Sequence, residues 1–414
     1  MIRLVSLNAK RILFISFLPH YPGFLSMRDK SMKRKNSNPL KNIFSVLSTL
    51  PICTILIMSA VFSQHAEAVT CSPVPGVVPF QGILTLSGNI TVGPDTPVGT
   101  ALYRADYTFQ NMGAVLICDA DVTLQQYAQY NTTPLPIVPV TIGGFSGTVY
   151  ESGLPGIGVF ITGTNGFNEK LPRIERTDFF EVEKPVVNSG SYRVWLVKTG
   201  PVTPGIINAA NFPTVAVTKI AAGVAGLPLP LQYLQFNGSL NVVSTTCATP
   251  DVNVDLGRYA STEFTSANSA TPWVDASVTL NNCPTFYGTY NMSNTSLRRS
   301  GNGVVTTSIS SSDPNALTLG LTPMNPVIDP LQGIMAVNSS TADPAAQGIG
   351  IQIGYGNSSG TPTPFNFSQV QTVIAPKDGT TTLKIPLAAR YIKTNTQLVG
   401  GRADGKMTFT INYY

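Results

Sequence analysis

The sequence reads as all-β, two β-sandwich domains in tandem behind an N-terminal leader. Three observations carry this reading. Only 11% of the 414 residues are charged. Segments of alternating apolar and polar residues recur between Gly, Pro and Asn clusters, with no long stretch of helical period rich in Glu, Lys and Leu. Beyond the leader, four cysteines fall into two separated pairs, Cys71 with Cys118 and Cys247 with Cys283.

Residues 1–68 read as the leader. The basic segment Lys33-Arg34-Lys35 to Lys41 precedes the apolar run VLSTLPICTILIMSAVF (46–62), and Ala66-Glu67-Ala68 supplies a small-x-small cleavage pattern, which sets the mature start at Val69. The run is shorter than the roughly 20 apolar residues that a membrane span needs. A signal peptide from Met32 accounts for the pattern, and residues ahead of it read as an over-extended start.

Removing the leader changes the chemistry available. The mature chain has 17 basic and 19 acidic residues, net −2, so a nucleic-acid partner has no electrostatic support. Both histidines, His20 and His65, leave with it, which excludes Ser-His-Asp or Cys-His catalysis and a histidine-bearing metal site. No enzyme and no cofactor is expected. Four cysteines in an exported chain favour disulfides; three connectivities are open, and pairing neighbours follows the spacing.

A boundary near 243–246 divides the mature chain into residues 69–243 and 244–414, each of ordinary domain size. The first half carries the strand segments GILTLSGNITV, ALYRADYTF, VTLQQYAQY, GSYRVWLV and PTVAVTKI; the second carries DVNVDLG, WVDASVTLNNC, IGIQIGYG, TLKIPLAARYI and KMTFTINYY. Their spacing argues sandwich or jelly roll. Pro-rich 132–139 and 225–232 read as loops or edges, since Pro cannot donate to a ladder. The chain ends on a strand in which Met407, Phe409, Ile411 and Tyr413 form one apolar face. Such a strand needs a partner.

Several of these residues, in order, carry a resemblance. Cys247, the VDLG turn (254–257), the strand ending at Leu280 with Cys283 after it, IPLAARYIKT (385–394), the GGRADGK turn and the terminal strand with its penultimate Tyr413 resemble the pilin domain of chaperone-usher fimbriae. The resemblance implies an incomplete Ig-like sandwich lacking one strand. A periplasmic chaperone, and then the adjacent fimbrial subunit, would supply that strand during assembly at the outer-membrane usher, an addition to an exposed sheet edge. Met407, Phe409, Ile411 and Tyr413 would mark the strand that the donor pairs with. Only Val69 and Thr70 precede Cys71, too little for a donor arm, which implies a place at the fimbrial tip on the cell surface.

The first half resembles, more thinly, the lectin domains of mannose-specific tip adhesins of type 1 fimbriae. Cys71, Cys118 with Asp121, VTLQ (122–125), FSGTV (145–149) and RVWLVKTGPV (193–202) carry it, and it implies a jelly-roll lectin-like domain. The mannose pocket does not carry over: Val69 stands where the family has phenylalanine, Ala120 where it has asparagine, and only Asp121 matches. Val69, Asp119 and Asp121 are the candidate ligand residues for a host glycan or glycoprotein, with capping of a turn by the two aspartates as the other reading. Trp195 reads as core, and the charged segment 169–184 as a solvated face of mixed sign. A tip subunit that binds a host protein, or that only caps and initiates the fibre, is the alternative function.

Overall fold

The computed structural model describes residues 2–6, 68–139, 148–164, 169–184, 186–244, 246–290, 303–306, 312–338, 344–394 and 397–414. The chain divides into two compact units, Met1–Asn8 with Val69–Tyr414, and Ala9–Ala68. Apart from Ala68 the second lies outside the described residues, as do the leader's apolar run and the part of FSGTV at 145–147.

The first half folds as two packed sheets. One runs in the order Cys71–Pro73, Ala101–Cys118, Val186–Lys198, Ile157–Gly163, Tyr150–Glu151. The other contains Phe80–Leu86, Leu229–Val243, Thr214–Ile220, Val122–Thr132 and Arg173–Phe180. Alternation decides which side chains meet: Val122, Leu124, Gln126 and Ala128 are buried, while Thr123 and Gln129, on the opposite face, are exposed. Ile157–Gly163 is buried throughout because both its faces are covered. Ile157, Val159 and Ile161 join the main core, and Phe160 faces a smaller cluster with Val149, Trp195 and Val197.

The second half has its own core, drawn from Cys247 to Tyr413. One of its sheets runs Val274–Asp275, Leu387–Lys393, Ile349–Tyr355, Ile334–Ala336, Val327–Asp329. The opposing sheet runs Val252–Val254, Ile2–Ser6, Gly405–Tyr413, Ala316–Pro323, Gln371–Ile374. No core residue is shared, and the two clusters part between Val242 and Cys247.

Both disulfides join neighbours, Cys71 to Cys118 and Cys247 to Cys283, the connectivity that the spacing favours. Closing the longer loop, with a sequence separation of 47, restricts the unfolded chain by about 4 kcal/mol. Cys71→Ser with Cys118→Ser is expected to lower the unfolding free energy of the first domain by that order, read by denaturant titration against the oxidised wild type.

Candidate functional site

The terminal strand Gly405–Tyr413 buries Met407, Phe409 and Tyr413 and half-buries Ile411, the four alternate positions expected. Along one edge it pairs antiparallel with Ala316–Pro323, from Pro323 opposite Met407 to Leu317 opposite Tyr413. Along the other edge it pairs parallel with Ile2–Ser6, Ile2 opposite Gly405 and Ser6 opposite Phe409. Ile2–Ser6 is paired in turn, antiparallel, with Val252–Val254. Between Val252–Val254 and the terminal strand there is therefore a slot one strand wide. Among the described residues of 244–414 none contributes a strand to it; the chain's first residues fill it.

The two ends of the slot differ. Main-chain groups of alternate residues in a strand point to opposite edges; those of Tyr414 bond Ala316 on the far side, at 2.8 and 3.3 Å, so those of Tyr413 face the slot. There Tyr413 N donates to Asp95 Oδ2 at 2.8 Å and Asp95 N donates to Tyr413 O at 3.2 Å. The first domain thus takes the last hydrogen-bonding position of the slot. The loop that carries Asp95 is held there: Asn315 Nδ2 donates to both Thr91 O, at 2.9 Å, and Tyr414 O, at 3.0 Å. At Gly93 a Cβ would lie 2.0 Å from Tyr413 O, so this approach requires glycine. Tyr413 also accepts, through its hydroxyl, a hydrogen bond from Cys247 N at 3.3 Å.

At the Gly405 end the slot leads into a cavity of about 510 Å³ lined by Asp255, Tyr259, Tyr391, Leu398, Arg402 and Asp404, among others. The lining follows directly on Val254 and precedes Gly405. Tyr391 donates to Ala403 O at 2.8 Å, and burial, with Asp404 and Asp255 nearby, pushes its phenol up to about 12.

The other candidate residues lie far along the first domain. Ala101–Cys118 is 18 residues long, about 55 Å if fully extended. Near its start Tyr103 packs edge-to-face on Tyr290 of the second domain at 6.1 Å, while its last residue, Cys118, is tied to Cys71. Val69, Asp119 and Asp121 gather at that remote end. Thr70 N donates to Asp119 Oδ1 at 2.8 Å, Asp119 N to Thr70 O at 3.1 Å, and Val182 N to Asp121 Oδ1 at 2.8 Å. Val69 O accepts from Ala225 N at 2.8 Å and its side chain packs beside the Cys71–Cys118 cluster. Both aspartates hold backbone amides, as the capping reading expects; among the described residues the second oxygen of each carries no hydrogen bond. Asp121→Ala should cost the first domain about 1 kcal/mol in a denaturant titration and Asp121→Asn much less, since the amide oxygen still accepts.

Two charged groupings are more enclosed than their sequence context indicates. Trp195 is core, as expected, stacked on Phe160 with centroids 6.0 Å apart. The guanidinium carbons of Arg104 and Arg193 lie 5.6 and 5.3 Å from its ring centre, and both arginines pair with buried Asp106. On the segment 169–184, Arg173 reaches Glu169 and Glu175, and Arg176 reaches Asp178. Fully buried Lys219 sits 3.6 Å from Asp178 Oδ2 and 5.2 Å from the centre of the Phe180 ring. The strand Arg173–Phe180 is thus solvated on one side only, with Ile174 and Phe179 exposed and Arg173, Arg176 and Asp178 in register with the inward row Ala128, Gln126 and Leu124.

Burial, reinforced by Arg176 and opposed by Asp178 and Glu175, lowers Lys219 from its ordinary 10.5 to about 8. Between those values the unfolded chain binds more protons than the folded one, so the first domain gains stability as pH rises through that window. Lys219→Met is expected to flatten that slope, measured by denaturant titration at about pH 7.5 and about pH 10.

Residues 234–414 match the family model described as fimbrial protein. The match begins inside the last strand of the first domain and runs to the final residue. No curated protein matches the chain. The fold is similar to three solved structures. One is the receptor binding domain of plasmid-born adhesin MrkD1P of Klebsiella pneumoniae, at 18% identity over 44% of this chain and 98% of that one, TM-score 0.30. The CupB6 tip adhesin from Pseudomonas aeruginosa is 14% identical over 83% of this chain and 92% of its own, TM-score 0.29. The P pilus rod subunit PapA is 16% identical over 41% of this chain and 100% of its own, TM-score 0.28.

Proposed function

We propose that this chain, whose residues 234–414 match the fimbrial protein family model, is a non-enzymatic adhesive tip subunit of a chaperone-usher fimbria. Residues 69–243 bind a host glycan or glycoprotein, and the second domain is completed by a strand from outside it. The observation that carries this reading is the slot between Val252–Val254 and Gly405–Tyr413, which is filled only by residues from the leader side of the chain. A periplasmic chaperone fills it first, and after passage through the usher the adjacent subunit does. Main-chain hydrogen bonds supply most of the affinity and alternate side chains the selectivity.

The tip position has support in the mature start. Residues 69 and 70 are held within their own domain by Ala225 and Asp119, so they are not available as a donor arm. The remote pole at Cys118, away from the second domain, suits a receptor-facing surface.

The test uses residues 69–414 purified from the periplasm and a peptide of residues 1–8. At a peptide concentration of about a hundred times its Kd, stabilisation of about 2.7 kcal/mol is expected, with slowed hydrogen exchange confined to 252–254 and 405–413. No binding, or protection elsewhere, overturns the strand-acceptor reading.

A second reading of the first domain is favoured by one observation: Asp119 and Asp121 already hold backbone amides. In that reading the tip subunit binds a host protein, or only caps and initiates the fibre. A glycan array probed with residues 69–414, wild type and Asp121→Asn, separates the two. Glycan binding weakened in the variant supports a lectin at this pole; none at all by the folded chain supports the second reading.

A further inference from the structure

A sheet edge left open invites pairing with another chain, and folded proteins blunt their edges by brevity, charge, proline or a cover. Three edges of the first domain's two sheets are blunted by their own residues. Cys71–Pro73 is short and ends in proline, Tyr150–Glu151 is two residues long, and Arg173–Phe180 carries Arg173, Glu175, Arg176 and Asp178. Phe80–Leu86 has none of these devices. It is seven residues long, FQGILTL, and no charged residue lies anywhere from Ser72 to Pro94. An apolar strand of this length without charge or proline is the kind of segment that adds to a copy of itself. One edge of it is occupied within the domain by Leu229–Val243, with Gln232 opposite Phe80 and Gly238 opposite Leu86. The other edge is covered by the second half of the chain: Gly303–Thr306 runs parallel to it, Gly303 opposite Gly82 and Thr306 opposite Thr85.

Gly303–Thr306 belongs to a stretch whose two ends are fixed at the joint between the domains. Thr289 and Asp313 exchange both main-chain hydrogen bonds, at 2.9 and 2.8 Å. Beside them Tyr290 N donates to Leu102 O at 2.9 Å, and Thr91 N donates to Gly288 O at 3.0 Å, so the stretch leaves the second domain already bonded to the first. We infer that Gly303–Thr306 is an edge guard, which denies the edge of Phe80–Leu86 to the equivalent strand of a second copy of this chain. The core of the first domain forms without it, since every buried residue of that cluster lies between Leu84 and Val242. What the guard supplies is main-chain partners, and it leaves a four-residue edge in place of a seven-residue one. This role does not depend on what fills the slot.

The test uses residues 1–414 with the slot filled, as wild type, as Val304→Pro with Val305→Pro, and as that double variant with Ile83→Lys added. Proline cannot donate to a ladder, and of two consecutive residues one faces the edge. The double variant is expected to exchange the guard-facing amides of 82–85 roughly tenfold faster or more. It is also expected to form dimers or larger species as its concentration rises, where the wild type sediments as a single species. Ile83 is half-buried and faces away from buried Leu84, so Ile83→Lys puts a charge on the edge and should restore the wild-type sedimentation. Ile83→Cys with Val304→Cys checks the register separately: these residues are opposite each other, and a disulfide within one chain is expected on peptide mapping. Faster exchange without association overturns the guard, as does association that survives Ile83→Lys. Unchanged exchange at 82–85, or no link between positions 83 and 304 within a chain, overturns the pairing on which the guard rests.

Discussion

Phe409→Ala is expected to lower the stability of the second domain by about 3–5 kcal/mol, close to the whole stability of a marginal domain. Phe409 is 1% exposed in the middle of the terminal strand, between Leu321 on one side and the slot strand on the other. The ring fills the core where two strands meet, and those strands come from distant parts of the chain. Neither can move in to close the cavity without breaking its own ladder. Thr410, next in sequence, points outward, and Thr410→Ala is expected to stay within about 0.5 kcal/mol. Hydrogen exchange read peptide by peptide on residues 1–414, with the slot filled, checks both. Opening in 244–414 with 69–243 unaffected is the expected pattern for Phe409→Ala, and loss of protection in both halves would show that the two domains unfold as one.

Asp106→Ala is expected to have a comparable effect on the first domain, about 3–5 kcal/mol, because it leaves two arginines without their buried counter-ion. Asp106 is 3% exposed and accepts from Arg193 Nε and Nη2 at 2.5 and 2.7 Å, with Arg104 3.5 Å away. Both guanidinium groups also lie over Trp195, so the loss extends to the cluster beneath. Removing the closer pair should be milder: Asp106→Leu with Arg193→Met replaces a paired charge by apolar bulk, an exchange that is often neutral, and leaves only the more exposed Arg104 without its partner. Denaturant titration of the three proteins checks this. A double variant as damaged as Asp106→Ala would mean that shape, and not the unpaired charge, sets the cost.

Much of this molecule follows from local pattern. Alternation along 405–414 points to one apolar face, because a strand's period of two leaves no freedom in which side chains share a face. Cysteine spacing indicated the two bridges. The Asp119 and Asp121 turn carried both of its readings in the sequence, and geometry put an amide on each carboxylate without removing the outward oxygens. What local pattern did not carry was Asp95, Asp106 and Lys219. Asp95 sits in a GPDTP turn with no signature of reaching the last strand. Asp106 and Lys219 occupy alternating strands whose charged positions ordinarily face water.

Local pattern was enough for the class of structure, for a preference for pairing neighbouring cysteines and for the apolar face of a terminal strand that needs a partner. These depend on periodicity, composition and spacing, which act over a few residues. Only the folded chain shows that the missing place is a slot between 252–254 and 405–413 and that Asp95 takes the main-chain groups of Tyr413 there. Those features are made by segments far apart in the chain, and a sequence holds no record of distance until the chain is folded.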